Sequence, residues 1–166
     1  MSFIPIPDIS KDDIYEITPQ MFTSRGIKLV LIDVDNTIAP YSRDDADERL
    51  LSWAQRIKGA GLALHILSNN HHERPGIFAR ALGIEYDGSS RKPFTKTLKK
   101  VLARYCAAPG EAALIGDQIY TDVLCAKRSG VLAVLVKPID VTNPVLRARY
   151  WLEAPFRLCY KWSVSK

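Results

Sequence analysis

Cysteine is scarce in this chain of 166 residues, and it is never paired in sequence: Cys106, Cys125 and Cys159 are odd in number and none stands in a C-x-x-C. That spacing argues against both a disulfide framework and a cysteine zinc site, so all three thiols are expected to be reduced and to serve in packing. Long apolar runs are missing too. The longest strictly apolar stretch is Val131 to Val136, against the roughly 20 residues that a membrane-spanning helix needs. The start, Met1 to Asp13, carries Pro5, Pro7, Asp8, Asp12 and Asp13 with no basic region ahead of an apolar one. It does not fit a secretory signal, and cytoplasmic residence is the expectation. Internal repeats and low-complexity linkers are absent.

What is present is the composition of an ordinary soluble globule, 47% hydrophobic and 25% charged, with length for one core that buries roughly two thirds of the unfolded surface. The net charge of +5 is unevenly spread. From Lys137 onward, Lys137, Arg147, Arg149, Arg157, Lys161 and Lys166 face only Asp140 and Glu153, so the last 30 residues carry nearly all of the surplus. A basic tail on a near-neutral body points to an anionic partner or to solubility alone.

Short β-branched runs alternate with amphipathic stretches. Lys28–Asp33, Leu62–Leu67, Ala112–Ile115 and Val131–Val136 read as strands, with Gly83–Asp87 a weaker candidate. Asp44–Gly59 sets Leu50, Leu51, Trp53, Ala54 and Ile57 on one side of a helix, and Phe94–Tyr105 does the same with Leu98, Val101, Leu102 and Tyr105. A short helix through Ile77, Phe78, Ala81 and Leu82 should end at Gly83. Near-continuous apolar strands joined by helices predict an α/β fold, a doubly wound and mostly parallel sheet. Residues 1–141 are expected to form this domain, the first 26 as an arm packed on it. Residues 142–166 form a separate basic and aromatic segment, with Pro155 interrupting any helix there.

In such a sheet, ligands bind beyond the carboxyl ends of the strands. The first long strand runs into Asp33-Val34-Asp35-Asn36-Thr37, two carboxylates where a buried strand opens into a loop. The next ends in Ser68-Asn69-Asn70, a hydroxyl and two amides suited to phosphate oxygens, although Ser68 alone reads as a cap or turn residue. Arg91-Lys92-Pro93 adds a compact positive charge. Ile115-Gly116-Asp117-Gln118 and Thr121-Asp122 add two more carboxylates at a strand end. Four aspartates and one lysine thus converge on one edge, and carboxylates sharing a site with phosphate call for a hard divalent cation.

These four segments, in this order, resemble the motifs of haloacid dehalogenase phosphatases. D-x-D-N-T, S-N-N, K-P and G-D-Q-x-x-T-D are similar to the YqeG branch of subfamily IIIA, which includes the mitochondrial phosphatidylglycerophosphate phosphatase; the likeness spans about Pro5 to Arg149. It implies a Rossmannoid core in which Asp33 attacks phosphorus to give an aspartyl-phosphate and Asp35 serves as general acid and base. It further implies Mg²⁺ held by Asp33, the Asp35 carbonyl and Asp117. Ser68, Asn69 and Lys92 bind the phosphate, with Thr37 supporting and Asp122 orienting Lys92 or a metal-bound water. Asn36 stands where many members carry glycine, and asparagine tolerates left-handed geometry.

Only 25 residues, Ile38 to Leu62, and then 20, His71 to Ser90, separate the motifs, which leaves no room for a cap domain. An open site favours a bulky or surface-presented substrate. Arg147, Arg149, Tyr150, Trp151, Phe156, Arg157, Tyr160, Lys161 and Trp162 combine charge with interfacial aromatics, suited to an anionic membrane surface or to packing on the body or on a second subunit. His65 reads as a core residue, and His71 and His72 as a solvated loop near the substrate. The expectation is a phosphatase with phosphatidylglycerophosphate as preferred substrate and peripheral membrane attachment in the cytoplasm; homo-oligomers are compatible, and nucleic acid is not the expected partner. A soluble phosphosugar, nucleotide or phosphoprotein substrate stays open, as does a non-catalytic scaffold on the same fold. A receiver-type domain places its acids differently.

Overall fold

The structure is a computed structural model that describes residues 5–164, with the side chains of 161, 163 and 164 outside the description. Lys161 and Lys166, counted in the basic tail, therefore lie beyond the described side chains. In chain order the elements are β1 (Ile9–Lys11), α1 (Gln20–Thr23), β2 (Leu29–Ile32), α2 (Glu48–Gly59), β3 (Ala63–Leu67), α3 (Arg74–Leu82) and β4 (Glu85–Asp87). Then come α4 (Lys96–Arg104), β5 (Ala112–Gly116), α5 (Leu124–Ser129), β6 (Leu132–Val136), α6 (Pro144–Leu152) and α7 (Ala154–Val164).

The six strands form one sheet in the order β1-β6-β5-β2-β3-β4, and every pairing is parallel. Side chains of adjacent strand residues point to opposite faces, and the two faces bury two cores. Val30, Ile32, Leu64, Ile66, Ala113 and Ile115 meet Trp53, Ile57, Phe78 and the arm residue Phe22. Leu29, Leu31, Leu67 and Leu114 meet Leu98, Val101 and Leu102 of α4 and Ala126 of α5. Helices cover both faces because parallel strands need crossover connections.

Register decides where the polar groups emerge. Ile32 pairs with both Ile66 and Ile115, so β2, β3 and β5 end level and deliver Asp33, Ser68 and Asp117 to one edge.

Local signals set the boundaries. Asp47 caps α2 by accepting from the Leu50 amide at 2.8 Å, so the helix starts at Glu48 rather than Asp44. Gly83 ends α3 at φ 61°, as its left-handed freedom predicts. β4 is shorter than Gly83–Asp87, because Gly83 and Ile84 close the helix. α6 and α7 are separate helices, with Pro155 in the first turn of the second, where its missing N–H costs nothing.

The arm holds more than packing. Its Ile9–Lys11 segment is a sixth strand on β6, anchored where Asp8 accepts the Ala133 amide at 2.8 Å and pairs with Lys127. Three half-exposed residues after two prolines give no periodicity to read, and prolines are tolerated beside an edge strand. Of the thiols only Cys125 is buried; Cys106 and Cys159 are exposed, so a packing role holds for one of the three. His65 is fully buried, with Nε2 3.1 Å from Asp87 and Nδ1 3.3 Å from the Tyr105 hydroxyl.

Trp53 is fully buried and donates its indole N–H to the Ile17 carbonyl at 3.0 Å, tying the arm to α2. Trp53→Ala should lower unfolding free energy by about 3–5 kcal/mol. Urea denaturation checks this, and a loss below about 1 kcal/mol would mean that the arm is not part of the cooperative core.

Candidate active site

Each site residue sits just past a strand end. Asp33 leaves β2 with its N–H on the Ile115 carbonyl at 2.9 Å. The chain then turns through Asn36 at φ 61°, a conformation open to asparagine. Asn36 also reaches across the site: its Nδ2 donates to the Asp140 carbonyl at 2.7 Å and its Oδ1 accepts from the Asp140 amide at 3.1 Å. A glycine could turn here but could not pin the loop after β6. Thr37 Oγ1 lies 3.4 Å from Asp117 Oδ1.

Ser68 is buried, and its hydroxyl oxygen accepts from the Asn70 amide at 3.1 Å, the arrangement of a turn residue, with its own proton left for another acceptor. Asn69 differs from expectation. Its Oδ1 accepts from Lys92 N at 2.6 Å and Ser90 Oγ at 2.8 Å, and its Nδ2 donates to Lys92 O at 3.0 Å. Its amide is thus spent on fastening the Lys92 loop, a neighbour no local pattern reveals.

At the centre lies a buried charge cluster. Lys92 Nζ sits 2.9 Å from Asp33 Oδ1 and 2.7 Å from Asp122 Oδ1, and donates to the Leu67 carbonyl at 2.7 Å. Asp122 Oδ2 accepts the Gln118 amide at 3.1 Å. Gly116 makes room: a Cβ there would fall 2.2 Å from Asp122 Cγ. Burial pulls the Lys92 pKa down, but the Asp122 and Asp33 carboxylates outweigh it and hold the ammonium charged. Burial, only partly offset by Lys92, pushes Asp33 up to about 6. Burial, then the charges of Asp122 and Asp33, raises Asp117 well above the carboxylate range.

Asp33, Asp117 and Asp122 each place an oxygen within 4.8 Å of the others. Three carboxylates against one ammonium leave negative charge buried and uncompensated, and oxygen donors suit a hard divalent cation. The residues therefore fit such an ion. Asp122, expected as support, stands in this cluster while serving as the anchor of Lys92.

Asp35 faces a cation that sequence reasoning missed. Its Oδ1 lies 2.7 Å from Arg74 Nε, and its Oδ2 accepts from Asn70 Nδ2 at 3.1 Å. Arg74 is buried at the start of α3, also pairs with Asp44 and donates to the Pro40 carbonyl at 2.6 Å. An arginine before a proline reads as solvated, and nothing local signals its burial. Glu153 and Arg157 were missed as site neighbours for the same reason: Arg157 Nη2 donates to the Asp117 carbonyl at 2.8 Å. His71 and His72 are exposed and line an open depression of about 810 Å³ with Tyr41, Asn70 and Arg74.

The Hydrolase_like family model, HAD-hyrolase-like, matches residues 89–148. A probable phosphatase, YqeG of Bacillus subtilis (strain 168), is 34% identical over 134 residues, covering 81% of this chain and 78% of that protein. The chain belongs to the haloacid dehalogenase-like hydrolases. Within them it is a phosphatase, a phosphoric monoester hydrolase. The chloroplastic/mitochondrial phosphatidylglycerophosphate phosphatase 1 of Arabidopsis thaliana is 25% identical over 173 residues, 95% of this chain and 48% of that protein. Among solved structures, the cobalt-bound deoxy-D-mannose-octulosonate 8-phosphate phosphatase of Haemophilus influenzae shares the fold, with a TM-score of 0.54 at 15% identity, covering 68% of this chain and 69% of that one.

With Asp33 near 6 and Asp117 also raised, the metal-free site holds protons in mild acid. Asp33 then favours the metal-free fold fully below its unfolded value near 3.8, a contribution lost as pH rises through about 6. A divalent cation needs the ionised carboxylates, so its binding should release protons at pH 6 and weaken further below it. Calorimetric titration with Mg²⁺ or Co²⁺ in buffers of different ionisation enthalpy should give a sloping enthalpy at pH 6; a flat line would refute the raised values.

Proposed function

We propose that this haloacid dehalogenase-like phosphatase is Mg²⁺-dependent and takes its phosphomonoester from a lipid at an anionic membrane surface, with phosphatidylglycerophosphate as the substrate. The observation that carries the reading is where apolar side chains are exposed. Tyr41, Phe94 and Tyr120, then Ile139, Val145, Trp151, Leu152, Leu158 and Trp162, are all exposed. Each follows the carboxyl end of a strand in chain order; Tyr86, within β4, is the other exposed large hydrophobic among the described residues. Arg147 and Arg149 lie among them, both exposed. Exposed tryptophan and leucine beside arginine suit a head-group boundary better than water.

No helix of the described residues is long and apolar enough to cross a membrane, so attachment from the cytoplasm would be peripheral. The connection from β2 to β3 carries only a loop and α2, and an uncovered site admits a head group still embedded in a bilayer. The name of the Arabidopsis relative points the same way.

Asp33 attacks phosphorus, the bond to the leaving oxygen breaks, and Asp35 gives that oxygen its proton. Asp35 then takes a proton from water, which attacks phosphorus, breaks the aspartyl-phosphate bond and frees inorganic phosphate. The Lys92 ammonium and the Ser68 hydroxyl hold phosphate oxygens, where positioning and charge dominate phosphoryl transfer. Asp33, the Asp35 carbonyl and Asp117 would hold Mg²⁺, which offsets the charge of nucleophile and phosphate as they meet. Arg74 and Asn70 hold the Asp35 carboxylate in place.

Phosphate release should require Mg²⁺ and run faster on phosphatidylglycerophosphate in anionic vesicles than on soluble phosphosugars or nucleotides. Asp33→Asn should lower kcat on the order of 10⁴-fold or more. Equal turnover of vesicle-borne and soluble esters would defeat the lipid reading, and full activity of Asp33→Asn would defeat the phosphatase reading.

A further inference from the structure

The segment that carries Asp117 is held from outside the sheet. After β5, residues 117–120 run into a π-helical turn, Ile119–Val123, whose N-cap, Gln118, makes no side-chain capping bond. The first N–H groups of a helical segment lack partners within it. Glu153, between α6 and α7, supplies them: its Oε1 accepts from the Ile119 amide at 2.8 Å and lies 3.4 Å from the Tyr120 amide. It is 1% exposed. A carboxylate so buried needs a compensating charge, and Arg157 donates to its Oε2 at 3.0 Å.

The same Nη2 of Arg157 donates to the Asp117 carbonyl at 2.8 Å, and the guanidinium lies over the Tyr150 ring at 4.6 Å. Arg149 Nη1 donates to Gln118 Oε1 at 2.7 Å. Phe156 packs edge-on against Tyr120, with centroids 5.7 Å apart. Four consecutive residues, Asp117 to Tyr120, are thus each gripped by a side chain of the α6–α7 elbow.

We infer that the α6–α7 elbow completes the metal centre, with Glu153 and Arg157 as positioning residues that hold Asp117 against the ion. The inference rests on the reading that Asp33 and Asp117 bind a divalent cation. A ligand attached through a short loop is only as well placed as the loop, and partners that orient ligands typically matter about 10- to 100-fold in metal affinity. Glu153 and Arg157 are themselves an ion pair, and Arg157 holds the Asp117 backbone through its carbonyl.

The 166-residue chain and four variants, Glu153→Gln, Arg157→Met, Arg157→Lys and Arg149→Ala, should be titrated calorimetrically with Mg²⁺, and the thermal midpoint of each measured without metal. Glu153→Gln and Arg157→Met should bind Mg²⁺ about tenfold or more weakly while folded at the titration temperature. Arg157→Lys, which keeps the charge and a donor, should recover part of the loss. Arg149→Ala alters an exposed side chain and should weaken binding a few-fold with no change in midpoint. A purely structural elbow would shift midpoints and leave the Mg²⁺ affinity of every folded variant within about twofold of the parent, which would overturn the inference. Failure of the parent chain to bind Mg²⁺ would overturn the metal reading beneath it as well.

Discussion

A lysine ammonium buried between two aspartates, at the edge where three strands end level, is the interaction around which this protein is arranged. Lys92 is 2.9 Å from Asp33 and 2.7 Å from Asp122, and all three are buried. Removing charges from water costs several kcal/mol each, and mutual attraction recovers this only with good geometry and further hydrogen bonds. The surroundings supply both. The Leu67 carbonyl accepts a hydrogen bond from Lys92, the Gln118 amide donates to Asp122, Asn69 clamps the Lys92 backbone, and Gly116 keeps its Cα bare so that Asp122 can approach. With Asp117 added, the cluster keeps a negative surplus that invites a divalent ion, so the feature that strains the metal-free fold also equips the site.

Around that cluster, charged and amide side chains tie distant segments together. Asn36 joins the loop after β2 to the loop after β6, and Arg74 joins Asp35 and the Pro40 carbonyl to the start of α3. Glu153 and Arg157 join the C-terminal helices to the Asp117 loop. Such bonds are directional and fix a loop at one distance, whereas apolar contacts tolerate sliding. The absence of a covering domain among the described residues leaves these ties, and not enclosure, to order the site.

Much of this was legible in the chain itself. The strands β2, β3, β5 and β6 announce themselves as β-branched runs, and the amphipathic spacing of α2 and α4 marks their buried faces, because both depend on contacts between near neighbours in sequence. β1 escaped notice because three half-exposed residues after prolines carry no period. Arg74, Glu153 and Arg157 escaped because a charged residue in a polar stretch reads as solvated, and its burial depends on segments up to 40 residues away. Asn69 was assigned to phosphate from its place in S-N-N, and its engagement with Ser90 and Lys92 is a long-range contact that no local pattern encodes.

By itself, then, the sequence determined the alternation of strand and helix, the edge on which function gathers, and the identity of Asp33, Asp35, Ser68, Lys92, Asp117 and Asp122 as its polar groups. Of the two partners expected for Asp122, tertiary structure showed contact with Lys92, and it alone decided that an arginine holds Asp35 and that the C-terminal elbow grips the Asp117 loop. The physical reason is range. Periodicity and turn chemistry are fixed by residues a few positions apart, while the balance of buried charge is fixed by whichever side chains the completed sheet brings within about 3 Å.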